Sequence, residues 1–239
     1  MNNPIIIALD VESAAQARVL VDSLGSTIDF YKVGMELYAA EGMSIVHELI
    51  GEGKQVFLDL KLYDIGETVK RATARVAGTG VRFLTIHSSP ALMRAADEGR
   101  GNSGLQLLAV SVLTSFSQQD AIDLGHTRSI EELVELRVRN AVVCGMDGIV
   151  CSPLEARGVR EIAGPEKLIV TPGVRSERAG LGDQKRVATP AEAVAAGANY
   201  VVVGRQVTRA KDPRAEALRI VEEIEAVLPS PIVHDVVAR

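Results

Sequence analysis

Tryptophan is absent from this 239-residue chain, and aromatic residues make up only 3% of it. A nucleic-acid surface would need stacking side chains and a basic excess, whereas the formal net charge is -5 and no dense basic run occurs. Any anionic ligand must therefore meet local cations. Cysteine is as scarce: Cys144 and Cys151 stand seven apart, which suits neither a disulfide framework nor a CxxC pair and points to a reducing compartment. Both read as small core hydrophobes. The histidines His47, His87, His126 and His234 share no metal-ligand spacing, and neither HExxH nor a Cys/His cluster is found. No protein-bound metal is expected. No apolar run approaches a membrane span, and "MNNPIIIALD" carries no basic leader, so a cytoplasmic location is expected.

What is present reads as a soluble globular protein, 47% hydrophobic and 24% charged, long enough for one large core. Short β-rich runs end at "IIIALD" (Asp10), "DFYKVG" (Lys32), "QVFLDLK" (Lys61), "RFLTIH" (His87), "LLAVSV" (Val112), "GIVCS" (Ser152), "LIVTPG" (Gly173) and "YVVVGR" (Arg205). Amphipathic segments such as "SAAQARVLVDSL", "MSIVHELIGEG", "ETVKRATARVAG", "SIEELVELRVRNAVVCG" and "TPAEAVAAGA" lie between them, several closing on Gly. Eight βα units of similar length with near-continuously apolar strands predict an α/β fold, a (β/α)8 TIM barrel, better than an open doubly wound sheet. Residues 1–239 are expected to form a single domain, with 229–239 a loose tail.

In such barrels chemistry gathers at the C-terminal ends of the strands. Here those ends carry Asp10, Lys32, Asp59, Lys61, Asp64, His87, Thr114, Thr171, Gln184 and Arg205. Burying a cation beside carboxylates costs several kcal/mol of desolvation per ion, so stability alone is a poor reason for such a set. The densest stretch is "VFLDLKLYDIGETV", Val56 to Val69. Strand alternation points Asp59 and Lys61 the same way, and Asp64 follows one turn later. Plainer readings exist: Asp64 with Glu67 has capping-box spacing, Asp59 with Lys61 could be a structural ion pair, and His87 could be a hydrogen-bonded core residue. A second rich region runs from "VTPGVR" through "GLGDQ" to "VVVGR", where the loops after strands seven and eight commonly bind phosphate. Pro172 and Gly173 allow close backbone approach, Gly204 leaves room, and Arg205 offers a bidentate fork. The long segment Arg175 to Gln184, "RSERAGLGDQ", reads as a lid or as a surface loop.

"FLDLKLYDIGETV" resembles the signature of the orotidine 5'-phosphate decarboxylase family, and the resemblance extends in order over nearly the whole chain. "ALD" holds Asp10, "YKVG" Lys32, "SVLTS" Thr114, "TPGVR" Arg175, "GDQ" Gln184, and "VVGR" Gly204 and Arg205. The family commonly reads Asp-Ile-Pro-Asn-Thr where this chain has "DIGET", which keeps Asp64, Ile65 and Thr68; "HSSP" after strand four also departs from the usual Gly-rich turn. The resemblance implies decarboxylation of orotidine 5'-phosphate to uridine 5'-phosphate without metal or organic cofactor. Lys61 would protonate C6 of the pyrimidine, and Asp59 and Asp64 would hold it as an ammonium. Lys32 would join that charge network and, with Asp10, hold the ribose. Thr114 would face the base, Gln184 would bridge base and phosphate, and Arg205, Gly204 and the Pro172 loop would take the phosphate, with Arg175 starting the lid. Asp64, Ile65 and Thr68 would enter the partner's site in an obligatory homodimer.

Two other classes share parts of this pattern. One is a magnesium-dependent sugar-phosphate decarboxylase or aldolase, which by resemblance carries an acidic residue after strand two, where this chain has Lys32. The other is a non-catalytic nucleotide-binding barrel, which would not need the full Asp, Lys, Asp set. An optical assay with orotidine 5'-phosphate separates all three. Turnover should persist unchanged in excess chelator; activity that chelator removes and magnesium restores would select the aldolase class, and binding without turnover the scaffold.

Overall fold

The computed structural model describes residues 3–176 and 188–228. Strands β1 (Ile5–Ala8), β2 (Phe30–Gly34), β3 (Gln55–Leu62), β4 (Phe83–His87), β5 (Gln106–Val110), β6 (Gly148–Val150), β7 (Leu168–Pro172) and β8 (Tyr200–Val203) are parallel and close in chain order. Closure comes from β1 against β8, with Ile5, Ile6 and Ile7 opposite Val201, Val202 and Val203. Helices α1 (Ala14–Leu24), α2 (Met35–Glu41), α3 (Met43–Gly51), α4 (Gly66–Ala77), α5 (Pro90–Arg100), α6 (Gln118–Asp123) and α7 (Ile130–Val143) connect the first six strands. Then follow α8 (Ala156–Ala163), α9 (Pro190–Ala195), α10 (Arg205–Thr208) and α11 (Pro213–Glu225). The expected (β/α)8 barrel is what forms. Ser13, Ser129 and Thr189 cap α1, α7 and α9 with their hydroxyls, the last two in capping boxes with Glu132 and Glu192.

The strand limits differ from the sequence reading in both directions, with β2 and β3 running on to Gly34 and Leu62, past Lys32 and Lys61. β1, β5, β6 and β8 stop at Ala8, Val110, Val150 and Val203, short of Asp10, Val112, Ser152 and Arg205. Local residue pattern carries on past these points, but the ladder ends where the chain leaves its neighbours to turn over the rim. Helix α2 also escaped the sequence reading, because it follows β2 without a break and is parted from α3 only by Gly42 at φ 60°.

Strand alternation sorts the core into two shells. Ile5, Ile7, Tyr31, Val33, Leu58, Leu84 and Leu107 face outward under the helices, whereas Ile6, Phe30, Phe57, Phe83, Leu108, Val170 and Tyr200 fill the barrel. The few aromatic side chains are concentrated here. Three of the four phenylalanines cluster with Tyr200, Phe30 and Phe83 touching its ring and Phe57 touching Phe83, in tilted and edge-to-face contacts with ring centroids 5.1–5.9 Å apart. Arg82 closes the floor beneath them, its guanidinium 5.1–5.4 Å from the centroids of Phe30, Phe83 and Tyr200. It also donates to the Tyr200 hydroxyl at 2.7 Å and to Gln55.

On the outside, α4 and α5 pack closely enough that a Cβ on Gly99 would lie 2.2 Å from the Lys70 carbonyl oxygen. That approach fixes α4, whose first turn follows directly from β3. Phe83, fully buried, touches the other three rings of the floor or their neighbours. Phe83→Ala should therefore lower the unfolding free energy by about 3–5 kcal/mol in equilibrium urea unfolding. A loss under about 1 kcal/mol would mean that the floor is not a structural support.

Candidate active site

The inner face changes character one residue pair above the floor. Ile6 and Ala8 lead to Asp10, Phe30 to Lys32, Phe57 to Asp59 and Lys61, and Phe83 to Thr85. The apolar side chains below exclude water, and the polar ones line a cavity of about 440 Å³ at the C-terminal ends of the strands. Asp10, Lys32, Asp59, Lys61, Thr114, Pro172, Arg175, Gly204 and Arg205 all line it, as the sequence reading expected. So do Glu36, on the unread α2, and Arg209, just after α10, which the sequence reading missed. Five basic and three acidic side chains line this cavity, so an acidic protein carries a locally cationic mouth.

The centre is a chain of alternating charges. Lys32 Nζ lies 2.8 Å from Asp10 Oδ1 and 3.8 Å from Asp59 Oδ2, while Lys61 Nζ donates to the same Asp59 oxygen at 2.9 Å. The Asp59 and Lys32 side chains are only 12% and 11% exposed, so neither charge could stand unpaired. Gly34 makes the Lys32–Asp10 contact possible: a Cβ there would lie 2.8 Å from Lys32 Nζ and 3.1 Å from Asp10 Oδ1.

Regular alternation does not produce this geometry. β3 pairs with β4 through Leu58 opposite Leu84 and next through Leu62 opposite Ile86, so four residue steps on β3 meet two on β4. Inside this bulge Lys61 has φ 49°, the sole positive φ of a non-glycine among the described residues. Such a conformation costs about 1–2 kcal/mol. It is held by Thr85, whose hydroxyl accepts from the Lys61 backbone N–H and donates to Asp59 Oδ1, both at 2.9 Å. Thr85 was absent from the sequence reading. Its signal was there to be used: Phe83, Thr85 and His87 share one strand face, and a buried polar residue in an inward position calls for a partner.

Other expected residues lie elsewhere. Asp64 and Ile65 are exposed and Thr68 half-buried, at the start of α4, and none lines the cavity. Asp64 makes no capping box with Glu67; its carboxylate accepts from the Ile65 N–H at 2.6 Å, and Ile65 is the N-cap without a side-chain bond. The helix starts one residue too late for Asp64 to cap it, because Ile65 stands between Asp64 and its first residue, Gly66. Thr171 faces away from the cavity and gives its hydroxyl to the Tyr200 carbonyl at 3.5 Å. His87 does not line the cavity either; it packs edge-on against Tyr63, centroids 5.1 Å apart. Gln184, most of the Arg175–Gln184 segment, His234 and the 229–239 tail lie outside the described residues. The base of that segment is well tied: Arg175 N–H reaches the Ala188 carbonyl at 3.0 Å, and Ser176 bonds both Gln206 and Glu223. A Cβ on Gly204 would meet only Ala8, at 3.9 Å, so protein packing does not demand glycine there. Among the described residues no cluster of three His, Cys, Asp or Glu could hold a metal ion, and no helix is long and apolar enough to cross a membrane.

A closed (β/α)8 barrel with a charged cavity at the strand C-termini, two lysines interleaved with two aspartates, defines a barrel enzyme. The family model for orotidine 5'-phosphate decarboxylase / HUMPS matches residues 3–220. The orotidine 5'-phosphate decarboxylase of Caulobacter sp. (strain K31) is 50% identical over 220 residues, covering 92% of this chain and 96% of that one. That of Rhodopseudomonas palustris (strain HaA2) is 49% identical over 220 residues, covering 92% and 94%. Among solved structures, orotidine 5'-phosphate decarboxylase from Lactobacillus acidophilus superposes with a TM-score of 0.81 at 34% identity, covering 93% of this chain and 99% of that one. This chain belongs to the orotidine 5'-phosphate decarboxylase / HUMPS family.

His87 supplies a pH test of the site's surroundings. Burial chiefly, then the charges of Arg137 and Lys61, push its imidazole below the ordinary 6.5. The unfolded chain then binds more protons than the folded one between 6.5 and the depressed value, so stability is full above 6.5 and falls as pH drops through that window. Urea midpoints should decline on acidification across it, and His87→Gln should flatten the decline. An equal decline in the variant would assign it to other groups.

Proposed function

We propose that this chain removes carbon dioxide from orotidine 5'-phosphate to give uridine 5'-phosphate, the last step of pyrimidine nucleotide synthesis, with Lys61 as the proton donor. The observation that carries the reading is an ammonium, Lys61 Nζ, held 2.9 Å from a nearly buried carboxylate inside a cavity of mononucleotide size. The C6–carboxylate bond breaks, carbon dioxide leaves, and its electron pair stays at C6. Lys61 Nζ stabilises that charge and then passes a proton to C6, leaving the neutral amine. Asp59 holds Lys61 and Lys32 through one oxygen, so the ammonium is aimed before substrate arrives, and little reorganisation is left for the reaction itself. No metal or organic cofactor enters this scheme. The position toward the end of β2 where a magnesium-binding relative would carry an acid is taken by Lys32.

The remaining roles follow the family. Asp10 and Lys32 hold the ribose hydroxyls, Thr114 faces the base, and Arg205, the Gly204 backbone and the Pro172–Gly173 loop take the phosphate. Arg175 begins a lid that carries Gln184 to the base and phosphate. Phosphate binding, remote from C6, supplies energy that orders the lid and excludes water. The active form is a cytoplasmic homodimer in which Asp64, Ile65 and Thr68 complete the partner's site. Two observations support that arrangement: Lys61 pairs with Asp59 and not with Asp64 of its own chain, and Tyr63 and Ile65 are 73% and 71% exposed beside the mouth.

A mixed-dimer assay tests the reading. Lys61→Ala and Asp64→Ala homodimers should each be nearly inactive, with uridine 5'-phosphate still bound by the Lys61 variant. After joint denaturation and refolding, half the dimers are mixed and each has one intact site, so about a quarter of wild-type turnover should return. Substantial turnover in Lys61→Ala alone would remove Lys61 from the proton transfer. No recovery, with subunit exchange verified by a mass tag, would confine Asp64 to its own chain.

A further inference from the structure

The bulge in β3 leaves two groups that the strand ladder would otherwise serve. The Lys61 N–H falls in the register shift between the Leu58 and Leu62 pairings, and Asp59 Oδ1 is the carboxylate oxygen left over when Oδ2 takes both lysines. Both converge on one hydroxyl. Thr85 Oγ1 is 2.9 Å from the Lys61 backbone nitrogen and 2.9 Å from Asp59 Oδ1, on a residue with no solvent exposure.

A hydroxyl has one hydrogen to give. The backbone N–H can only donate to it, so its own hydrogen goes to Asp59, and the directions are fixed: Lys61 N–H to Thr85, Thr85 O–H to Asp59. The first bond pins the left-handed backbone from which the Lys61 side chain springs. The second occupies one Asp59 oxygen and leaves the other, Oδ2, for Lys61 Nζ and Lys32 Nζ. Thr85 thus closes a ring from the Lys61 backbone through the hydroxyl and the carboxylate to the Lys61 ammonium.

We infer that Thr85 is a positioning residue for the proton donor: it sets both the backbone conformation of Lys61 and the carboxylate rotamer of Asp59, without touching substrate. The inference rests on Lys61 being the proton donor. Val and Ser divide its two attributes, since Val keeps the branched shape and loses the hydroxyl, while Ser does the reverse. Positioning predicts that Thr85→Val lowers kcat at least tenfold with KM and uridine 5'-phosphate affinity within about threefold of wild type, whereas Thr85→Ser keeps kcat within about threefold. A second readout follows the same proton without the carboxylate: exchange of the uridine 5'-phosphate C6 hydrogen in deuterated water, which Thr85→Val should slow in parallel with kcat.

A packing role predicts the opposite order, with Ser the damaged variant and Val near wild type, and that result would overturn the inference. So would a Thr85→Val enzyme whose kcat stays within twofold, or one that loses affinity instead of kcat. Should Thr85→Val fail to fold, Thr85→Cys, with the shape of Ser and a thiol that donates weakly, carries the same expectation against Ser. Lys61→Ala assayed alongside separates the two levels. If Lys61→Ala is dead and Thr85→Val active, only the Thr85 inference falls; turnover surviving in Lys61→Ala overturns both.

Discussion

A single carboxylate oxygen shared by two ammonium groups is the constraint on which the rest of the site depends. Asp59 Oδ2 is 2.9 Å from Lys61 Nζ and 3.8 Å from Lys32 Nζ, and the carboxylate is almost withdrawn from water. Removing either kind of partner would strand a buried charge, a loss of about 3–5 kcal/mol. The surrounding features can be understood as what makes this arrangement tolerable. Asp10 balances Lys32 from the far side, Gly34 clears space for that contact, and the Thr85 hydroxyl satisfies the second oxygen.

The barrel keeps stability and chemistry on different levels of the same strands. Below, Phe30, Phe57, Phe83 and Tyr200 interlock over Arg82 and fill the barrel floor. Above, the same inward-facing positions carry charge. Because alternate residues of a strand share a face, a shift by one residue would exchange the shells, and so the packing that defines the floor also fixes the height of the charges. Among the described residues, backbone strain at a non-glycine appears once, at Lys61, where the backbone leaves the regular strand to bring its amine over Asp59.

The rim is organised by tethers between successive βα connections. Ser176 joins the start of the connection after β7 to Gln206 on α10 and Glu223 on α11, and Gln206 also bonds Glu216. The exposed Ile65 and Tyr63 lie on the opposite arc, after β3.

Much of this was legible in the sequence because it depends on local pattern. The eight apolar runs, the helical segments that open at Ser13, Ser129 and Thr189, and the inward direction of Asp59 follow from residue types at fixed spacing. The signature around Asp59, Lys61 and Asp64 identified the family for the same reason. What remained hidden depends on neighbours far apart in the chain. Whether Asp64 caps its own helix was settled by where α4 begins, and the strand limits by where a neighbouring strand ceased to pair. The Lys61 bulge exists only because β3 and β4 carry unequal numbers of residues between two shared pairings, and Thr85 matters only because closure of the barrel sets its hydroxyl inside that gap. The sequence by itself determined which residues are chemically able to act; the tertiary structure decided which hydroxyl meets which carboxylate, because a hydrogen bond between residues 26 apart exists only when the sheet registers them.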